Sequence, residues 1–388
     1  MMKQKQRELL GLNLQQLTEL VEALGQPGYR SRQLYEAIYG QRRSSVEQIS
    51  NLPKQFREEL VRDGRDIGFP EVEKRFLSVD GTVRYLVRFA DGQSVETVWM
   101  PEGDNGEAGD GSEAADEMAV RGVPGDELTT GGKKRRRSFE RATICVSSQV
   151  GCAVNCRFCM TALLGVQRNL TAGEIVGQIL LVLNDHDVHL DVDRVNLVFM
   201  GQGEPFLNYD AFMEAVRLLV DGVRIPESRM TVSTSGIVPR ILDFAREAVR
   251  PKLAISLNGS NDRDRTRVMP INKKWNLEEL ISAARDYPLR NRERLTFEYV
   301  LLAGENDSVE NAQQLVELLR GLRAKVNLIA LNPGPEIPFG TPEETRVLAF
   351  QRVLIKAGIP AFIRRPRGRD IFAACGQLKK TTELLKIG

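Results

Sequence analysis

At 388 residues the chain is long for one domain, because domains typically run to about 100–200 residues; a catalytic-sized domain with a smaller companion is expected. With 42% hydrophobic and 27% charged residues it is not globally disordered, and no stretch approaches the roughly 18 uninterrupted apolar residues of a membrane helix. The net charge is only +2, and the start, MMKQKQRELL, has no secretory signature, so a soluble cytoplasmic protein without a membrane partner is expected.

Residues 1–68 read as a helical unit. Leu14, Leu17, Leu20, Val21 and Leu24 recur at helical spacing, and Gly25-Gln26-Pro27-Gly28 ends that helix. A second helix follows from Ser31 with Leu34 and Ile38 inward, and a third near Asn51-Leu52-Pro53 carries Phe56 and Leu60. Arg30, Arg32, Arg42, Arg43, Lys54 and Arg57 decorate the unit, as solvated faces or as a surface that follows RNA phosphates. Residues 69–101 switch to period two around two Asp-Gly turns, Asp80-Gly81 and Asp91-Gly92, which predicts a small antiparallel sheet covered by the helices.

Residues 102–137 hold nine acids and six bases, are Gly-rich, and end in Lys133-Lys134-Arg135-Arg136-Arg137. So few bulky apolar residues cannot offset the entropy of ordering, which predicts a disordered insert; its basic run is a solvated charge run or an RNA contact. From 138 to 370 strands and helices alternate, with strands expected at 143–147, 195–200, 229–234, 252–257, 295–302, 326–331 and near 360–364. Thr171-Ala172-Gly173-Glu174 is a capping box that opens one of the helices. Repeated βα units predict an α/β fold, a partial (β/α)6-type barrel whose site lies at the strand C-termini. Residues 371–388 form a short C-terminal segment.

Five cysteines make no disulfide framework, and two histidines, His186 and His189, are too few to complete a zinc site with them. Cys152, Cys156 and Cys159 form a CxxxCxxC in the loop after the first barrel strand. Three thiolates at this spacing can hold three irons of a cubane cluster and leave the fourth open. Structural zinc would need a fourth ligand, for which Cys145, inside the preceding strand, is the candidate.

The CxxxCxxC in this βα setting resembles the radical S-adenosylmethionine (SAM) superfamily. The segments CVSSQVGCAVNCRFCMT, GQGEPFLNYD, TVSTSG, AISLNGSND, LTFEYVLLAGEND, NLIALNPGP and AACGQL, in this order, resemble more narrowly its RlmN/Cfr family of RNA adenine methyltransferases. The resemblance spans nearly the whole chain except 102–137, which is longer than the family's usual link. It implies a radical SAM barrel, one [4Fe-4S] cluster on Cys152, Cys156 and Cys159, and SAM contacts from Gly203, Glu204, Ser233, Ser256, Leu257, Asn258 and Asn332. The glycines near Glu204 would let backbone approach the ligand, with the carboxylate on the SAM ammonium. Asn258 stands where some members carry histidine.

The same resemblance makes Cys375 the methyl-carrying cysteine, Cys145 the second essential cysteine and Glu96 a proton acceptor. Read alone, Cys375 would be an inert thiol and Glu96 a surface carboxylate. Arg364, Arg365, Arg367 and Arg369 lie where they would favour a Cys375 thiolate. The implied reaction uses two SAM molecules. One methylates Cys375; the second, cleaved to a 5′-deoxyadenosyl radical, activates that methyl, whose carbon adds to C2 of adenosine. Loss of the C2 proton, to Glu96 or Cys145, and attack of Cys145 on Cys375 release the RNA and leave a disulfide to be reduced. The implied substrates are 23S rRNA in its peptidyl-transferase region and the adenosine next to the anticodon in tRNAs. An electron donor such as flavodoxin or ferredoxin and a monomeric state are expected. A C8-directed methyltransferase, a radical SAM activase of a protein, and a zinc-containing RNA-binding module remain as alternatives.

Overall fold

The computed structural model describes residues 7–102 and 141–379; residues 103–140, with nearly all of the expected insert and its basic run, lie outside them. Helices α1 (Leu14–Ala23), α2 (Tyr29–Tyr35) and α3 (Lys54–Arg62) form the N-terminal unit. Asn13 and Gln16 cap α1 reciprocally, and the helix buries Leu17 and Val21. It ends where Gly25 turns to a left-handed φ of 68°.

This unit shares one continuous apolar core with the rest of the molecule: Leu9, Leu17 and Val21 belong to the same cluster as Ile175, Val176 and Ile179. Two glycines permit the contact. A Cβ on Gly173 would lie 2.2 Å from the Leu10 carbonyl oxygen, and one on Gly11 would lie 2.8 Å from the Gly173 nitrogen. Two of the basic residues expected on the surface make internal bonds. Arg42 donates to the Val188 carbonyl at 2.7 Å, and Arg57 donates to the Glu47 carbonyl at 2.7 Å.

Ten strands lie side by side in chain order in one sheet. They are β1 (Glu71–Leu77), β2 (Val83–Arg88), β3 (Ser94–Glu102), β4 (Arg141–Cys145), β5 (Arg194–Phe199), β6 (Met230–Thr234), β7 (Lys252–Ser256), β8 (Leu295–Leu301), β9 (Ala324–Ala330) and β10 (Ala361–Ile363). β1 to β4 pair antiparallel, and β4 to β10 pair parallel. The antiparallel strands therefore form as expected but do not make a sheet of their own. β3 pairs with β4 from Val98 opposite Cys145 to Glu102 opposite Arg141. The pairing covers what would otherwise be an open edge of the barrel sheet.

Helix α4 (Ala172–Asp185) carries the expected capping box and is buried over most of its length, between sheet and N-terminal unit. Its Gln178 clamps the β3–β4 junction: Oε1 accepts from Thr97 Oγ1 at 2.7 Å and from the Ser147 nitrogen at 3.0 Å. The parallel strands turn alternate residues to opposite faces. Leu197, Val232, Ile255, Phe297 and Leu328 face the apolar core. Thr143, Asn196, Thr231, Lys252, Thr296 and Asn327 face a central cavity, so polar side chains stand in the interior of the partial barrel beside apolar ones such as Val198 and Ile329. No described helix is long and apolar enough to cross a membrane.

Candidate active site

The CxxxCxxC loop is held at both ends. Gln149–Gly151 pairs antiparallel with Val166–Asn169, and the Cys152 nitrogen donates to the Gly165 carbonyl at 3.0 Å. Gly151 has a φ of 80°, and a Cβ there would lie 1.7 Å from the Gly165 oxygen, so only glycine closes this hairpin. At the other end the Met160 nitrogen donates to the Gly376 carbonyl at 2.8 Å, and Thr161 Oγ1 donates to the Leu378 carbonyl at 2.8 Å. The loop is thereby fastened to the segment that carries Cys375.

That segment is anchored further. Asn332 Nδ2 donates to the Cys375 carbonyl at 3.3 Å and Gln377 Nε2 to the Pro333 carbonyl at 2.7 Å. The Gly368 nitrogen donates to Asp80 in the β1–β2 turn at 2.9 Å, and Ser78 Oγ to Asp370 at 2.5 Å. The antiparallel strands thus hold the C-terminal segment across the barrel mouth.

Two cavities meet under that segment. The first gathers Cys152, Cys156 and Cys159 with Gly203, Glu204, Ser233, Ser256, Asn258 and Asn332. Burial pushes the Cys152 thiol up to about 12, with Glu204 and Cys159 adding, and pushes Cys156 and Cys159 up as well. Such thiols ionise only against a strong positive charge, as metal ligands do. Among the described residues no three of His, Cys, Asp and Glu close on one point as ligands of a single ion would. A cubane takes each cysteine on a separate iron, so three thiols spread along one cavity wall fit a cluster.

Glu204 is buried: one oxygen accepts from the Ser235 nitrogen at 2.6 Å and the other from the Phe206 nitrogen at 3.1 Å. Burial raises its pKa, while the Ser235 and Phe206 backbone donors and the nearby Ser235 and Thr234 hydroxyls pull against it. Ser233 Oγ and Ser256 Oγ lie 3.1 Å apart on neighbouring strands. Asn258 sits at a left-handed φ of 53°, its Oδ1 accepting from the Val300 nitrogen at 2.7 Å and its Nδ2 directed to the Met269 sulfur at 3.0 Å.

The second cavity holds Cys145, and Cys375 stands on the wall common to both. Cys145 is buried and its thiol is pushed up to about 12, first by burial and then by Cys375. Cys375 has exposed surface within the cavities; protein surrounding it raises its pKa, against a lowering influence from Arg364. Of the four arginines expected to favour its thiolate, Arg364 acts on Cys375, but burial outweighs it. All five cysteines are free, so the Cys145–Cys375 disulfide implied after turnover is not formed here. Cys145 does not share the wall with Cys152 and Cys156, as a fourth metal ligand would.

Two expectations need correction, those for Leu257 and Glu96. Leu257 packs in the apolar core and lines neither cavity; its nitrogen donates to the Glu298 carbonyl at 2.9 Å. Gly203 lines the cofactor cavity as expected, and its neighbour also requires glycine there: at its φ of 99°, a Cβ would lie 2.6 Å from the Gln149 Cβ. Glu96 is neither at the surface nor on a cavity wall. It is fully buried, pairs with the equally buried Arg84, and accepts from Gln202 Nε2 at 3.3 Å.

Sequence reasoning also passed over Glu298, Asn327 and Arg265. Glu298 interrupts the apolar strand LTFEYVL, a visible signal in a strand buried on both faces. Asn327 interrupts AKVNLIA in the same way. Arg265 is fully buried beside Cys156 and donates to the Ser235 and Leu257 carbonyls at 2.6 and 3.1 Å, tying two strand ends together. Nothing in its sequence context separates it from the surface arginines around it.

Comparison with known proteins agrees with this geometry. Residues 146–316 match the radical SAM superfamily, and residues 7–63 match the ribosomal RNA large subunit methyltransferase N-terminal domain. A probable dual-specificity RNA methyltransferase RlmN from Koribacter versatilis is 66% identical over 361 residues, covering 93% of this chain and 98% of that protein. The chain belongs to the RlmN family. A dual-specificity RNA methyltransferase RlmN from Dinoroseobacter shibae is 40% identical, over 97% of this chain and 90% of its own length. The crystal structure of a radical SAM methyltransferase from Sphaerobacter thermophilus superposes with a TM-score of 0.83 at 40% identity, covering 96% of this chain and 99% of that one. As an RlmN-family member the chain is a radical SAM methyltransferase that uses a [4Fe-4S] cluster and SAM.

Proposed function

We propose that this enzyme methylates C2 of adenosine in ribosomal and transfer RNA, with Cys375 carrying the carbon and Cys145 releasing the product. The observation that carries the reading is the place of Cys375, on the wall between a cavity with three cluster-suited thiols and a cavity that holds Cys145. Cys152, Cys156 and Cys159 would hold the cluster. Glu204, Ser233, Ser256, Asn258 and Asn332 would hold SAM, with Glu204 on its ammonium. When bound, these groups supply a methyl donor and a one-electron route to activate an unreactive C–H bond.

The chain's own residues do the rest. Cys375 must lose its proton to accept a methyl on sulfur; burial opposes this, and Arg364 favours it. The segment across the barrel mouth keeps that sulfur between the cavities. The adenosine must leave its stack to reach Cys375. Of the two expected proton acceptors, Cys145 stands on the wall of the second cavity; Glu96, paired with Arg84, acts as a positioning residue behind it. A flavodoxin- or ferredoxin-type donor would reduce the cluster, and a monomer would suffice, because every residue of this scheme comes from one chain.

The test is reconstitution with the cluster, SAM, a reductant and RNA, followed by digestion and isomer-resolved mass spectrometry. The expected product is 2-methyladenosine. 8-methyladenosine would move the enzyme to the C8 class, and unmodified RNA beside intact SAM cleavage would remove RNA as substrate.

A further inference from the structure

Glu298 on β8 and Asn327 on β9 stand directly opposite each other in the sheet register, and both turn into the cavity that holds Cys145 and Cys375. They are 5% and 1% exposed. Asn327 Nδ2 donates to Glu298 Oε1 at 2.9 Å, and Arg364 Nη1 approaches the same oxygen at 3.4 Å. These donors leave the other half of each group open: Glu298 Oε2 and Asn327 Oδ1 are both buried without a hydrogen-bond donor. The amide cannot turn over to relieve this, because its oxygen would then face the carboxylate.

Leaving a buried acceptor unpaired is unfavourable, and here there are two side by side. Such a pair is uncommon in a native interior unless a ligand completes it. The missing partner must bring two N–H or O–H donors to neighbouring acceptors. A primary aromatic amine does so from a single nitrogen. Adenine carries one at position 6; guanine and hypoxanthine present an oxygen there, which two acceptors would repel.

We infer that Glu298 and Asn327 recognise the 6-amino group of the target adenine, one N–H going to Glu298 Oε2 and the other to Asn327 Oδ1. This rests on the adenosine-methylation reading above and adds to it the basis of base choice. Glu298 also borders the cofactor cavity, but Asn327 borders only the second, so the pair serves the substrate side. Arg364 holds the shared oxygen of Glu298 while acting on Cys375, which links base recognition to the sulfur that reacts.

The experiment compares methylation of three RNAs that differ only at the target base: adenine, unsubstituted purine and hypoxanthine. The reconstituted natural enzyme and its Glu298→Gln variant are used, with iron content and SAM affinity measured alongside. The natural enzyme should prefer adenine over purine by about ten- to hundred-fold in kcat/KM, the loss expected when a buried polar pair goes unmet. In Glu298→Gln the amide oxygen stays toward Asn327 Nδ2 and Arg364, so its NH2 replaces Oε2. The variant should therefore lower adenine relative to hypoxanthine by at least about tenfold. The readout is a ratio within one preparation, so general loss of activity does not imitate it. Equal rates on adenine and purine RNA would overturn the inference and mean that water completes the pair. So would a uniform loss on all three RNAs in the variant, or a loss of SAM affinity, which would place Glu298 in the cofactor site. Failure of the natural enzyme on adenine RNA itself would instead break the functional reading beneath it.

Discussion

The two cavities are built from the same parallel strands, yet they differ in what is left unpaired: a lone Ser235 hydroxyl on the cofactor side, and two neighbouring acceptors on the other. On the cofactor side Glu204 accepts two backbone N–H bonds, Asn258 both donates and accepts, and Ser233 meets Ser256. On the Cys145 side Glu298 Oε2 and Asn327 Oδ1 wait for donors. The groups named on the first side are held before anything binds; Glu298 and Asn327 on the second reach full hydrogen bonding only with a ligand that brings two donors. Preorganisation suits a cofactor used in every turnover, and a site completed by its ligand suits discrimination among bases.

The strongest blow to the cofactor side is loss of a cluster thiol. Cys152→Ala, Cys156→Ala or Cys159→Ala should each take iron from about four atoms per chain to near zero and abolish SAM cleavage, read by iron analysis and 5′-deoxyadenosine release. Retained cleavage by the triple-alanine protein would remove the cluster assignment.

Next is the buried pair behind the second cavity. Glu96→Ala should cost about 3–5 kcal/mol in denaturant unfolding, because it leaves the Arg84 guanidinium buried without its carboxylate. The double variant Arg84→Met/Glu96→Leu should regain much of that loss. A Glu96→Gln protein of unchanged stability that methylates Cys375 but not RNA would return Glu96 to the proton-acceptor role.

The smallest expected effect lies at the junction that holds β3. His186 stacks on Trp99 with ring centroids 4.0 Å apart, and its Nε2 lies 2.8 Å from the Tyr85 hydroxyl. Burial lowers its pKa, so the unfolded chain takes up a proton more readily than the folded one. Its contribution is complete above the unfolded value of about 6.5 and is lost as pH falls through the lower folded value. Urea midpoints should therefore decline from pH 7 to pH 5, and His186→Phe, which can keep the stack, should flatten that decline. An unchanged slope in the variant would assign the acid sensitivity elsewhere.

Much of the fold is legible in the residues because period and capping are local. The Thr171–Glu174 box opens α4, and the expected barrel strands lie within about two residues of those observed. The joining of β3 to β4 is not legible, since strand pairing across an insert leaves no periodic trace. The same limit governs the site. Cys152, Cys156 and Cys159 declare themselves by spacing within one loop, whereas Cys375 meets them only through the Met160–Gly376 and Thr161–Leu378 bonds, more than two hundred residues apart in sequence. Glu96 reads as a lone strand carboxylate because Arg84, its partner, sits on the neighbouring strand. Leu257 is adjacent in sequence to two cavity residues, but a one-residue step in a strand reverses the face.

The most direct test of the account is the asymmetry between its two cysteines. One sulfur carries the carbon to RNA; the other only displaces it. Reconstituted Cys145→Ala and Cys375→Ala proteins should be mixed with SAM, reductant and labelled RNA and run on a denaturing gel. Cys145→Ala should give a slow band of RNA joined to the protein through a methylene bridge at Cys375, and Cys375→Ala should give none. The same empty lane for both, from proteins that fold and load iron normally, would contradict the roles assigned here.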